Sequence, residues 1–410
     1  MTEGATGREP RRGAGPWTVL AVTLAIQSLV SMAALAVPAI APAVAVRLGI
    51  SASLVGGYVT ALYLGATLAS MAAGPMVLRF GALRMSQCGL VACALGMALM
   101  ALVPSVPAAV VAAVLTGLGY GPITPASSHL LARSTPPQRA ALVFSIKQTG
   151  VPLGGVLAGM LVPPVTVGAG VAVALWAVCA GCIACAAAAQ MMRRDLDADR
   201  RPGHAIGLAG LGGPLKLVAG HAELRRLAAV SFVFSAVQMC LAAYIVTYLT
   251  SMLGWSLVAA GAALSTAQIG GVVGRVAWGW LADRWAQPIR VLALLALLMA
   301  ASTTATAALT SGVAPALVLA LLALFGASAT GWNGVYLAEV ARRAPPGMAG
   351  SATGGTLAVT FFGVVLGPAL FGVASSVGGG YRTGYALLAP AALLCAWTLL
   401  RVPRGGPARG

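Results

Sequence analysis

The sequence predicts an all-α membrane protein, with twelve transmembrane helices in two pseudo-symmetric six-helix bundles. Three observations carry that expectation. Of 410 residues, 59% are hydrophobic and only 8% are charged, whereas a soluble chain carries about a quarter charged. Apolar runs of about 20 residues, the length that crosses a bilayer, recur twelve times along the chain. The basic residues between those runs gather at alternate loops, as in multi-span membrane proteins. Together these exclude a conventional soluble enzyme. The net charge of +17 does not point to nucleic acid, which would need a basic face on a folded domain.

Taken in order, the runs bounded by charge, Pro or Gly span about 17–40, 52–73, 86–103, 107–131, 140–162, 167–190, 227–250, 258–282, 288–310, 314–338, 349–375 and 383–400. The first follows Arg11 and Arg12, but Gly13, Ala14 and Gly15 do not suit a twin-arginine signal. With eleven more runs behind it, it reads as a membrane helix. The N-terminal tail, the even-numbered loops and the C-terminal tail hold 21 Lys and Arg residues; the other side holds only Arg47 and Arg382. Both termini are therefore expected in the cytoplasm. Arg outnumbers Lys 23 to 2, which suggests a GC-rich bacterial genome and a bacterial inner membrane. The one long loop, 191–226, is rich in Arg, Asp and Gly. It divides the chain into a tail (1–16), a first bundle (17–190), a linker (191–226), a second bundle (227–402) and a tail (403–410).

The halves repeat. At a shift of 205 residues, Gly49, Ser51, Gly65, Gly74 and Arg79 meet Gly254, Ser256, Gly270, Gly279 and Arg284. At a shift of 213, Gly150, Gly154 and Gly159 meet Gly363, Gly367 and Gly372. Two similar six-span halves suit a secondary transporter whose binding site lies between them. No cofactor is expected; the partners are a small-molecule substrate and the bilayer, and the chain is read as a monomer.

Gly279-Trp280-Leu281-Ala282-Asp283-Arg284 resembles the cytoplasmic signature loop of the major facilitator superfamily. The first-half copy, Gly74 to Arg84, keeps the glycines and basic residues but has Leu78 where the family has Asp. The resemblance covers the whole chain and implies the major facilitator fold with alternating access. It also implies an inner gate of Gly74, Arg79, Gly279, Asp283, Arg284 and Glu339. Asp283 should meet the positive start of the fifth helix near Arg139. Glu339 should pair with Arg284, or with its neighbours Arg342 and Arg343.

Charge inside a span is a functional hypothesis by default. Lys147 and Arg275 each lie roughly 10 Å from the cytoplasmic end of their spans at 1.5 Å per residue. No carboxylate lies deep in a span, so two cations at one depth call for an anion. Arg275, four residues before Gly279, resembles the monocarboxylate transporters and oxalate–formate exchangers. The acid that often precedes it in the monocarboxylate group is Gly271 here. Gln27, Gln148, Gln238, Trp332, Asn333 and Tyr336 complete the candidate substrate site; Tyr244 and Tyr248 lie further out. Transport of a small organic anion such as a monocarboxylate is the leading expectation. The alternative is proton-coupled multidrug efflux, since the glycines of helices 5 and 11 resemble a degenerate antiporter motif. Cys179, Cys182 and Cys185 read as packing residues and His129 as a hydrogen-bonded structural one. No nucleophile–base–acid set suggests an enzyme.

Overall fold

The structure is a computed structural model that describes residues 15–136, 143–144, 146–204, 212–285, 287–346 and 348–401. Twelve helices are long and apolar enough to cross a membrane: α1 (Pro16–Ala39), α2 (Ala52–Phe80), α3 (Ala82–Leu102), α4 (Val106–Ser134), α5 (Ile146–Ala169), α6 (Val171–Gln190), α7 (Ala222–Leu253), α8 (Leu257–Arg284), α9 (Pro288–Ala307), α10 (Pro315–Arg343), α11 (Gly350–Val377) and α12 (Tyr381–Leu400). Several outrun the apolar runs that announce them. Helix α2 continues through Gly74 and Arg79 to Phe80, and α8 carries Gly279 to Arg284 on its last turns, so the second signature segment is helical and the first is helical except for the turn at Gly81 before α3. Helix α7 already begins at Ala222, inside the expected linker. Hydropathy marks the hydrocarbon layer, whereas a helix ends where its backbone is capped.

The packing is the same in each half. Helix α1 lies on α5, α2 on α4 and α3 on α6; α7 lies on α11, α8 on α10 and α9 on α12. Between the halves α5 meets α8 and α2 meets α11. Helices α4 and α10 are both interrupted at mid-span, α4 at Gly121-Pro122 and α10 at Trp332. Lipid-embedded helices tolerate such breaks where they face protein or a cavity. The face carrying Gly15, the linker and Arg401 is here the linker face, and the opposite one the far face. At the far face Gly49 (φ +66°) and Gly254 (φ +72°), equivalent in the repeat, close the short helix Ala41–Leu48 and α7 in left-handed geometry.

The far face is shut between the halves. The Thr60 hydroxyl donates to the Val365 carbonyl at 2.9 Å. Tyr244 donates to Pro368 in its own half at 2.8 Å and lies 3.1 Å from the Ser53 carbonyl in the other. A Cβ on Gly159 would overlap the Gly261 carbonyl and the Ser265 hydroxyl; one on Gly56 would overlap the Tyr244 hydroxyl and the Pro368 carbonyl. Gly56 and Gly261 are themselves repeat equivalents at the 205-residue shift, so the closure is doubled by the pseudo-symmetry.

The linker is held to both halves. Asp197, 5% exposed, accepts from the backbone N–H groups of Leu83 (2.7 Å) and Arg84 (3.0 Å) at the start of α3. Burial pushes its carboxyl above the usual carboxylate value, against those two N–H groups and Arg193. Asp199 pairs with His129 at 2.6 Å and with Arg133 at 2.5 Å on α4, so His129 has the structural partner its position suggests. The helix Gly212–Gly220 packs on α11. Asp197→Ala should lower stability by about 1 kcal/mol, the usual loss when a helix N-terminus forfeits its acceptor. Asp197→Asn should lose less, because the amide keeps one acceptor oxygen; unfolding midpoints in detergent check the order.

Candidate functional site

Between the halves lies a cavity of about 300 Å³, lined from α1, α2, α4, α5, α7, α8, α10 and α11. Its wall runs from mid-span residues such as Tyr63 and Gln238 to Leu337 and Leu357 on the linker side. At the linker face a Cβ on Gly74 or Gly279 would meet nothing within 4 Å. Both signature glycines therefore adjoin open space at the linker face, while the far face is closed by contacts between the halves.

Arg275 is the cation in this wall among the described residues, and no described carboxylate joins it. It sits on α8, and its Nη1 donates to the Gln148 carbonyl on α5 at 2.7 Å. Its Nε donates to the Thr330 carbonyl on α10 at 3.2 Å. The guanidinium is thereby held at the seam of the two halves, just where the α10 backbone is interrupted.

Around it stand amides and aromatic rings. Gln148, Gln238, Gln268 and Asn333 line the wall with Tyr63, Tyr120, Trp332 and Phe361. Trp332 Nε1 donates to the Gln238 side-chain oxygen at 3.2 Å, and the Tyr63 and Tyr120 rings meet edge to face at 5.7 Å. Gln268, Tyr63, Tyr120 and Phe361 were not singled out in the sequence. Their only signal there is depth, which they share with many packing residues.

Three expected site residues lie behind the wall. Lys147 is 1% exposed and is not part of the lining; its Nζ reaches the Gln148 side-chain oxygen at 3.4 Å. Gln27 is fully buried and ties α1 to α4, taking a bond from Thr124 and giving one to Ser31, each 3.3 Å. Tyr336 is fully buried against Trp332. Gln148, Arg275, Gln238, Trp332 and Asn333 are brought together in one cavity; Lys147 stands beside it, one residue round the helix.

The pattern of the Major Facilitator Superfamily matches residues 22–359. The chain belongs to that superfamily. Solved structures of membrane transporters share its fold. It superposes on a D-xylose–proton symporter with a TM-score of 0.77 at 14% identity, over 95% of this chain and 98% of that one. The nucleoside transporter NupG gives 0.76 at 15% identity, over 93% and 99%. In sequence, the "Uncharacterized MFS-type transporter MT3072" of Mycobacterium tuberculosis is 28% identical over 273 residues, 67% of this chain and 60% of that relative. The "Probable nitrate/nitrite transporter NarK2" of the same organism is 35% identical over 166 residues, 38% of this chain and 40% of its own. None of these is named for monocarboxylates, so the likeness at Arg275 and Gly279 to that group gains no support from them.

In this superfamily member the signature residues lie at the linker face. Arg79 and Arg284 are exposed, with guanidinium carbons 5.5 Å from the Phe80 and Trp280 ring centres. Asp283 is exposed, and its expected partner region around Arg139 lies outside the described residues. Glu339 is fully buried and bonds Arg342 and Arg343, the latter also reaching Glu223 at 2.9 Å. It therefore joins α10 to α7 within one half, through its neighbours and not through Arg284.

Proposed function

We propose that this chain carries a small monovalent anion across the membrane by alternating access, with Arg275 as the charged group that meets it. The observation that carries the reading is one guanidinium facing a cavity that has amide and aromatic walls and no carboxylate among the described residues. A planar fork of donors suits carboxylate-like or nitrate-like ions, and one cation balances one negative charge. The relative named for nitrate and nitrite supports the same charge class. Organic monocarboxylates remain inside the proposal as planar monoanions. The bound anion would draw Arg275 from its carbonyl partners and give the halves a shared ligand. A ligand moves such an equilibrium only through its differential affinity for the two states.

The test is a thermal-shift screen of the purified protein, since a ligand of the native state raises its stability. Nitrate, nitrite, formate and pyruvate are set against dicarboxylates and lipophilic cations. Stabilisation by the monoanions supports the proposal. Stabilisation by lipophilic cations alone would sink it and favour drug efflux.

The linker face is assigned to the cytoplasm on the charge count, as a chain of this type in a bacterial inner membrane would place it. Reporter fusions at Gly203 and Gly378 should then give opposite-side signals, and same-side signals would refute the topology.

A further inference from the structure

We propose that the first half holds one anionic phospholipid at its far face, with an acyl chain in the pocket beneath the helix Ala41–Leu48 and the headgroup phosphate on Arg47. The pocket measures about 220 Å³ and is walled by apolar groups, among them Val44, Leu48, Val55, Met100 and Val110. An apolar cavity of about 150 Å³ already takes a benzene-sized hydrocarbon. Val46 is 84% exposed and Leu102 66%, so apolar surface adjoins the pocket on a chain that spans the membrane. A water-borne ion has no use for such walls, whereas a bilayer lipid does.

Arg47 supplies the polar end. Its Nη2 donates to the Ala101 carbonyl in the last turn of α3 at 2.5 Å. Its Nη1 is buried and has no hydrogen-bond partner among the described residues. Arg47 as a whole is half-buried, and a donor left without a partner invites an acceptor; Arg geometry favours phosphate. The other half is built differently. There Arg382, on α12 and not at the repeat position of Arg47, donates to the Leu309 carbonyl just beyond α9 at 2.9 Å. The segment at the repeat position of Ala41–Leu48 simply continues α7. Its Tyr248 packs edge to face on Tyr385 at 5.3 Å, both rings fully buried.

The placement bears on gating. Leu54, Val55 and Gly57 wall the pocket, and they alternate with Ser53 and Gly56, which meet Tyr244 and Pro368 across the far-face seam. A lipid seated there braces the segment that closes the far face.

Native mass spectrometry of the full chain in detergent tests the site, with dioleoyl-phosphatidylglycerol, dioleoyl-phosphatidylcholine and oleate as probes. Both lipids carry the phosphate, but the choline cation offsets that of phosphatidylcholine, so retention of one phosphatidylglycerol with about tenfold preference is expected, the scale of one charged interaction. Arg47→Gln should erase the preference and Arg47→Lys keep part of it. Ala109→Phe, which fills the pocket and leaves the guanidinium intact, should lower retention of both lipids. This variant decides between the outcomes if Arg47→Gln fails to fold for want of its bond to Ala101. Equal retention of the two lipids by the parent chain overturns the proposal, as does unchanged retention in Ala109→Phe. Binding of oleate as tight as that of phosphatidylglycerol also overturns it, by making the occupant a free fatty acid.

Discussion

Arg275→Ala should lower anion binding about 10- to 150-fold, the loss of a charged hydrogen-bond donor worth about 1.5–3 kcal/mol. The guanidinium is the cation lining the cavity among the described residues, and its removal also frees the Gln148 and Thr330 carbonyls it now bonds. Arg275→Lys keeps the charge but loses the fork, so it should retain a minor part of the affinity. Lys147→Ala should act differently. Lys147 stands outside the lining, so its loss should alter transport rate more than affinity for the same anion. Titration of the stabilised protein with nitrate or pyruvate, followed by counterflow in proteoliposomes, separates the two. Parental binding in correctly inserted Arg275→Ala would refute the site.

Gly159→Val should shift the protein away from the state described here. Its Cβ would overlap the Gly261 carbonyl and the Ser265 hydroxyl across the α5–α8 seam. Overpacking of this kind costs about 1–3 kcal/mol. In a buried core the strain is kept, but an interface that can open escapes it. The cost therefore appears as a population change of about 5- to 150-fold at 1.4 kcal/mol per decade. A cysteine placed at Ser53, beside Tyr244, should become more reactive to a membrane-impermeant thiol reagent added at the far face. Gly74→Val, whose Cβ would meet nothing within 4 Å, should leave that reactivity unchanged. Equal reactivity of parent and Gly159→Val would show that the seam does not move.

The sequence discloses depth more readily than direction. Hydropathy and charge located all twelve helices, and of the repeated glycines Gly159 and Gly372 stand at the far-face seam. Helix rotation was hidden, because lipid-facing and packed sides are equally apolar. Lys147 and Gln148 have nearly the same depth, yet one is sealed in the wall and the other lines the cavity. About 100° separates successive residues on a helix of 3.6 residues per turn, and nothing in an apolar span says which lies inward. Gln27 misled for the same reason: its amide is consumed by Thr124 and Ser31. The linker was legible as composition only. That Asp197 would reach the start of α3, and Asp199 the end of α4, depends on chain folding that no local motif records.

Asp197 and Asp199 find their partners at Leu83, Arg84, His129, Arg133 and Arg193, all earlier in the chain or adjacent to it. The Arg201 backbone N–H likewise reaches back to the Leu78 carbonyl at 2.7 Å. A nascent chain that has left the ribosome as far as Arg201 therefore already contains every group of this clasp. Synthesis of the remaining half can proceed above a first half whose helix ends are fastened, and domains generally fold as units in the order they are made.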